Sequence, residues 1–167
     1  MESAYQPAAW HDLYLMVGTA AAGLTGLIFV AVSLHLREVL RDPWHRGTAG
    51  SSLLALMSVV LISGALLIPQ QPLPLLGTEI VIVALASPAY STRALAHLPP
   101  RRRLPALVEI ATGMLGSLLA IASGLSLVLH AGGGLWLLLP GAAVALGSSV
   151  FNAWRLMVDV AEASGAD

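Results

Sequence analysis

Long apolar runs separated by short polar stretches rich in proline and glycine make up most of this chain. About 20 mainly apolar residues carry an α-helix across a hydrocarbon layer about 30 Å thick. Five segments reach that length: residues 10–36, 47–68, 73–95, 104–130 and 135–160. The breaks between them read RDPWHRG, PQQPLP, HLPPRRRLP and HAGGG, and each contains the Pro or Gly that interrupts a helix. Connections this short make successive helices antiparallel neighbours and leave no length for an aqueous domain. The predicted fold is all-α: one polytopic domain over residues 1–167, a bundle of five transmembrane helices. Pro140 falls inside the fifth segment, where a missing N–H and a clash with the preceding turn predict a bend.

Composition strengthens the membrane assignment. The chain is 57% hydrophobic and 10% charged, with a mean hydropathy of +0.82, whereas soluble domains carry about 25% charged residues. A net charge of -1 with no basic stripe offers nothing to nucleic acid. The absence of cysteine excludes disulfides, thiolate metal sites and thiol catalysis. MESAYQPAAWHD lacks the basic start and small-residue cleavage site of a signal peptide, so the first helix is expected to stay.

The basic residues predict an orientation. All eight are arginine. Arg37, Arg41 and Arg46 follow the first segment, Arg93, Arg101, Arg102 and Arg103 surround the third break, and Arg155 ends the fifth. Alternating spans put these three places on one side, and basic residues mark the cytoplasmic side. The expectation is an N-terminus outside and a C-terminus in the cytoplasm, for a multi-pass protein of a bacterial cytoplasmic (inner) membrane. Trp10, Tyr14 and Trp136 then fall at the outer interface and Trp44, Tyr90 and Trp154 near the inner one, as amphipathic rings prefer.

Ionisable groups inside the spans are the candidates for function. Glu79 lies about one turn into the third segment. At 100° per residue its face continues through Ile82, Val83, Ala86, Tyr90 and Arg93, a side expected to meet protein or water. Glu109 shares a face of the fourth segment with Thr112, Gly113, Gly116, Ala120, Ser123 and Gly124, the small-residue stripe of a close helix contact. Near the arginine side it either pairs with Arg93 or Arg155 or lines a proton- or cation-sensitive vestibule. In the fifth segment Gly141, Ala145, Ser148, Ser149, Asn152, Arg155 and Asp159 form a stripe that grows more polar toward that side. Gly18, Ala22 and Gly26 form a third small-residue stripe, on the first segment. Glu79, Tyr90, Arg93, Glu109, Asn152, Arg155 and Asp159 are therefore the polar-path candidates, and the glycines and alanines of the first and fourth segments are the packing candidates.

Catalytic and metal chemistry find little here. His11, Asp12 and His130 join Glu79 in the outer layer as ligand types, but their spacing matches no metal motif. No nucleophile elbow and no HExxH pair occurs. The expectation is a protein with no cofactor, no metal and no enzymatic activity.

The run LTGLIFVAVSLHLREVL, residues 24–40, follows WHDLYLMVGTAAAG. It resembles the first helix of a group of small uncharacterised bacterial integral membrane proteins rich in arginine and alanine. Some members of that group are labelled modulators of a membrane protease. The resemblance implies a small multi-pass protein and transfers no catalytic residue. Two functions are open at this level. One is a homo-oligomer in the lipid bilayer that passes an ion or small solute, its path marked by Glu79 and Glu109. The other is a non-conducting scaffold or regulatory partner of another membrane protein.

Overall fold

The computed structural model describes residues 2–96 and 100–164, with side chains except at positions 2, 38, 94–96, 100–109, 156 and 159–164. Two 3-10 turns, Glu2–Tyr5 and Pro7–Trp10, lead into α1 (His11–Leu34) and the short α2 (Leu36–Arg41). There follow α3 (Pro43–Leu66), α4 (Leu73–Ala84), α5 (Ala86–Ala96) and α6 (Pro100–Leu129). A third 3-10 turn, Gly134–Leu137, precedes α7 (Leu138–Ser164). Among the described residues, five helical stretches are long and apolar enough to cross a membrane: Pro7–Leu34, Pro43–Leu66, Leu73–Arg93, Ile110–Leu129 and Gly134–Arg155.

The helix boundaries depart from the expected ones for identifiable reasons. RDPWHRG reads as a break, yet α3 starts inside it. The Asp42 carboxylate accepts a hydrogen bond of 2.9 Å from the Trp44 N–H, and Pro43 takes the first helical position, where its missing donor costs nothing. The first segment ends earlier, at Leu34, because His35 leaves helical geometry and α2 starts after it. The third segment is two helices. Pro88 has no N–H for the Ala84 carbonyl, and the ladder is interrupted around Leu85. Pro140 does not bend a helix interior. It sits in the first turn of α7, where the N–H would be unpaired in any case, and the tighter turn before it absorbs the change of direction.

Helix α3 is the hub of the bundle, touching α1, α2, α4, α5 and α7. Its apolar window is 39% buried against 17% for the window that contains α1, so α1 lies at the periphery. Met16, Leu27, Phe29 and Leu34 of α1 are each more than half exposed. Apolar surface this continuous is unfavourable in water.

Glycine sets the closest approaches. A Cβ on Gly124 of α6 would lie 2.6 Å from the Gly77 carbonyl oxygen of α4, and a Cβ on Gly77 would collide with the Gly124 carbonyl in return. Gly116 and Gly141 make the same reciprocal contact between α6 and α7, at 3.2 and 3.1 Å. Backbones meeting this closely gain dispersion contact that bulkier helices in a bilayer forgo. These two pairs draw α4, α6 and α7 together, while Val17, Ala21 and Ile28 of α1 pack on Leu56 and Val59 of α3.

Candidate polar cavity

The two ends of the bundle differ. The N-terminus, the α3–α4 connection and the α6–α7 connection meet at one end, and the arginines lie at the other. Arg37, Arg41, Arg46, Arg93 and Arg155 are all exposed there.

At the N-terminal end the first ten residues fold over the α6–α7 connection as a strap. Trp10 donates its indole N–H to the Ser3 carbonyl at 2.7 Å and meets Trp136 edge to face at 4.6 Å. Tyr5 donates to the Gly132 carbonyl at 2.9 Å, and its ring stacks on His130. Ser126 donates to the Ala131 carbonyl at 2.5 Å and accepts from the Gly134 N–H at 2.8 Å. Ser123 donates to the Gly134 carbonyl at 2.9 Å. Gly134 is at φ +52°, and a Cβ there would collide with the Ala4 carbonyl. Below the strap, fully buried Tyr14 donates to the Leu135 carbonyl at 3.3 Å, among Trp10, Leu76, Leu135 and Leu138. This end is sealed.

Two adjoining cavities occupy the middle of the bundle and its arginine half. The first has about 50 Å³ open to the centres of water molecules. Its wall is mostly apolar, with Val17, Val59, Ile62 and Leu138, and Ser58 and Ser63 of α3, Ser87 of α5 and Ser117 of α6 are set into it. The second has about 30 Å³. Ser51 and Ser52 of α3, Ser87 and Ser91 of α5, and Ser148, Ser149 and Asn152 of α7 dominate its wall. Ala55, Ser87 and Gly113 line both. A water needs about 15 Å³ measured this way, so the pair has room for about five. From Ser51 to Ser63 the hydroxyls follow roughly 18 Å of helix axis at ~1.5 Å per residue, more than half of a hydrocarbon core about 30 Å thick.

Most helical hydroxyls in this protein donate to a backbone carbonyl, the cavity-lining Ser51, Ser58, Ser148 and Ser149 included. Thr19, Ser33 and Thr78, on exposed faces, each donate to the carbonyl four residues earlier at 2.7 Å. That back-bond lets a hydroxyl tolerate an apolar environment. Ser52 and Ser63 are 3% and 2% exposed, and the oxygen of each has no hydrogen-bonding partner in the protein. Both line the cavities. An orphan buried hydroxyl costs roughly 1–3 kcal/mol, which a guest in the cavity would recover.

The sequence candidates separate around these cavities. Asn152 lines the second one, and Tyr90 lies beside it, its ring seated on Gly50 of α3 where any Cβ would collide. Arg155 is exposed, 6.0 Å from the Phe151 ring, and Arg93 is exposed. Glu79 is half-buried but lines neither cavity. It accepts a 2.7 Å hydrogen bond from the Gln71 amide in the α3–α4 connection. The face expected to run from Glu79 toward Arg93 is open at Ile82, which is 64% exposed. The side chains of Glu109 and Asp159 lie outside the described residues.

Among the packing candidates, Gly116, Ala120 and Gly124 are buried against α4 and α7. Gly18 faces Ser63, where a Cβ would come within 2.8 Å of the serine Cβ. Ala22 and Gly26 are exposed, and a Cβ on Gly26 would meet nothing. A Cβ on Gly113 would also meet nothing, because Gly113 borders the cavities. His11, Asp12 and His130 are exposed. Among the described residues no three His, Asp or Glu side chains come together as a metal-holding group.

Sequence reasoning missed the cavity serines of α3 and α5 and Ser117 of α6. The signal was present in α3: Ser51, Ala55, Ser58 and Ile62 recur at helical spacing, a small and polar face inside an apolar run. Gly77 gave no such signal, since its partner is 47 residues away in sequence. No family model, curated protein or solved structure matches this chain.

Proposed function

We propose that this chain is a non-enzymatic, multi-pass protein of a bacterial cytoplasmic membrane that provides a route for a small solute through its own helical bundle. The observation that carries the proposal is the pair of adjoining cavities, mainly apolar with serines in their walls, to which all five spans contribute. Bundles without such a task fill their centres, because a void forfeits dispersion contacts. The arginine end faces the cytoplasm by the positive-inside rule, so the serine-rich half opens inward and the strap of residues 2–10 is the outer barrier. Passage requires that barrier to lift, freeing the Tyr14 hydroxyl from Leu135.

This reading moves the path from a ring of subunits to the interior of one chain, and Glu79 becomes an outer brace held by Gln71. Purified full-length protein in liposomes tests it. Solute flux above that of protein-free vesicles is expected, and tight vesicles would overturn it.

A second reading, a non-conducting partner of another membrane protein or of further copies of itself, draws support from α1. Thr19, Ala22, Gly23 and Gly26 form an exposed small-residue face, the kind that lets a second helix approach closely. Photo-crosslinking from position 22 in native membranes separates the cases. A stoichiometric second protein favours the partner, whereas a product of twice the chain mass favours a homo-oligomer.

A further inference from the structure

We infer that the cavities select a small uncharged solute with hydrogen-bonding groups on a short carbon skeleton, of glycerol or urea size, and exclude ions. The inference rests on the permeation reading and names the class of solute for the same site.

Three observations support it. First, among the described residues the lining of both cavities includes no charged side chain. An ion entering would exchange its hydration shell for a few hydroxyls, and the desolvation cost of an uncompensated charge is far larger than that of a neutral polar group. Second, the first cavity is mostly apolar, with Val17, Val59, Ile62 and Leu138 in its walls and Ser58, Ser63, Ser87 and Ser117 set among them. A solute that carries hydroxyl or amide groups on a short carbon skeleton meets both kinds of residue. Third, Ser52 and Ser63, residues of the cavity walls, each carry a buried hydroxyl with no partner in the protein, able to donate and to accept once a rotamer change turns it toward a guest. They stand 11 residues apart on α3, roughly 16 Å along the axis at ~1.5 Å per residue. They therefore mark two successive binding stations. Glu79 and the exposed Arg93 and Arg155 stay clear of the cavities.

The test uses the full chain in vesicles of phosphatidylethanolamine and phosphatidylglycerol. Stopped-flow light scattering follows re-swelling in glycerol and in urea, and a potential-sensitive dye follows potassium and chloride. Wild-type protein is expected to speed re-swelling in glycerol at least five-fold over empty vesicles with no added ion conductance. Ser52→Ala should slow the protein-dependent part about five-fold, the worth of one neutral hydrogen bond. Gly113→Leu should return it to the empty-vesicle rate. A Cβ at Gly113 meets nothing, and an unchanged melting temperature separates blockage from misfolding. Ion flux without neutral-solute flux would overturn the solute class and leave the route standing. Absence of both fluxes would overturn the route as well. Neutral flux indifferent to both substitutions would show that the solute passes elsewhere, and would overturn the inference.

Discussion

The N-terminal end and the cavity half of the bundle both use glycine and serine, but the cavity half also holds a glycine whose Cβ would meet nothing and two buried serines without a partner. At the N-terminal end, glycine brings backbones into contact: Gly77 against Gly124, and Gly134 beneath Ala4. Serine there is saturated, with Ser123 and Ser126 tying the α6–α7 connection to itself. In the cavities, Gly113 leaves space unfilled and Ser52 and Ser63 leave hydrogen bonds unmade. A small residue thus says nothing alone about whether a helix face is packed or open. What decides is whether a backbone or a void stands opposite.

If that contrast is real, substitutions at the sealed end should change stability, and substitutions along the cavities should change transport. The largest effect is expected from Gly77→Val, which drives a branched side chain into the α6 backbone. We expect a loss of about 3 kcal/mol or more, seen as a collapse of the monodisperse detergent-solubilised peak or a large fall in melting temperature. Gly134→Ala comes next. Its positive φ and the Ala4 carbonyl both oppose a Cβ, so about 2 kcal/mol should be lost, with faster proteolysis of residues 2–10. Tyr5→Phe removes the hydrogen bond to Gly132 and should cost about 1 kcal/mol, leaving solute flux unchanged or raised. Gly113→Ala should be the mildest for stability, neutral or a gain of up to about 1 kcal/mol from helix propensity, yet it should narrow the cavities and slow flux measurably. Glu79→Gln should leave neutral-solute flux within about two-fold, because Gln71 rather than the cavity holds that side chain. A larger flux effect from Glu79→Gln than from Gly113→Leu would reverse the assignment of the two regions.

The number and type of elements were legible in the sequence, because apolar length is a local property that adds up along a segment. The small-residue stripe of α6 was legible too, since residues 116, 120 and 124 share a face at 100° per residue. The corresponding stripe of α1 read just as strongly, yet Ala22 and Gly26 face outward while Ala21 is fully buried. Periodicity identifies a face without saying which neighbour covers it. Helix starts and breaks were half-legible. DP before an aromatic is a cap signal, and SP inside a run is a break signal, but each competes with the plain hydropathy of its surroundings.

The sequence by itself determined five spanning-length helices and arginines gathered at one end, because these follow from residue counts and their spacing along one chain. The tertiary structure alone decided that Gly77 meets Gly124, that the Ser52 and Ser63 hydroxyls are buried without a partner, and that Glu79 turns to Gln71. Those outcomes depend on the rotation and axial offset of each helix against its neighbours. Close backbone contacts between residues far apart in sequence set both, and no local pattern encodes them.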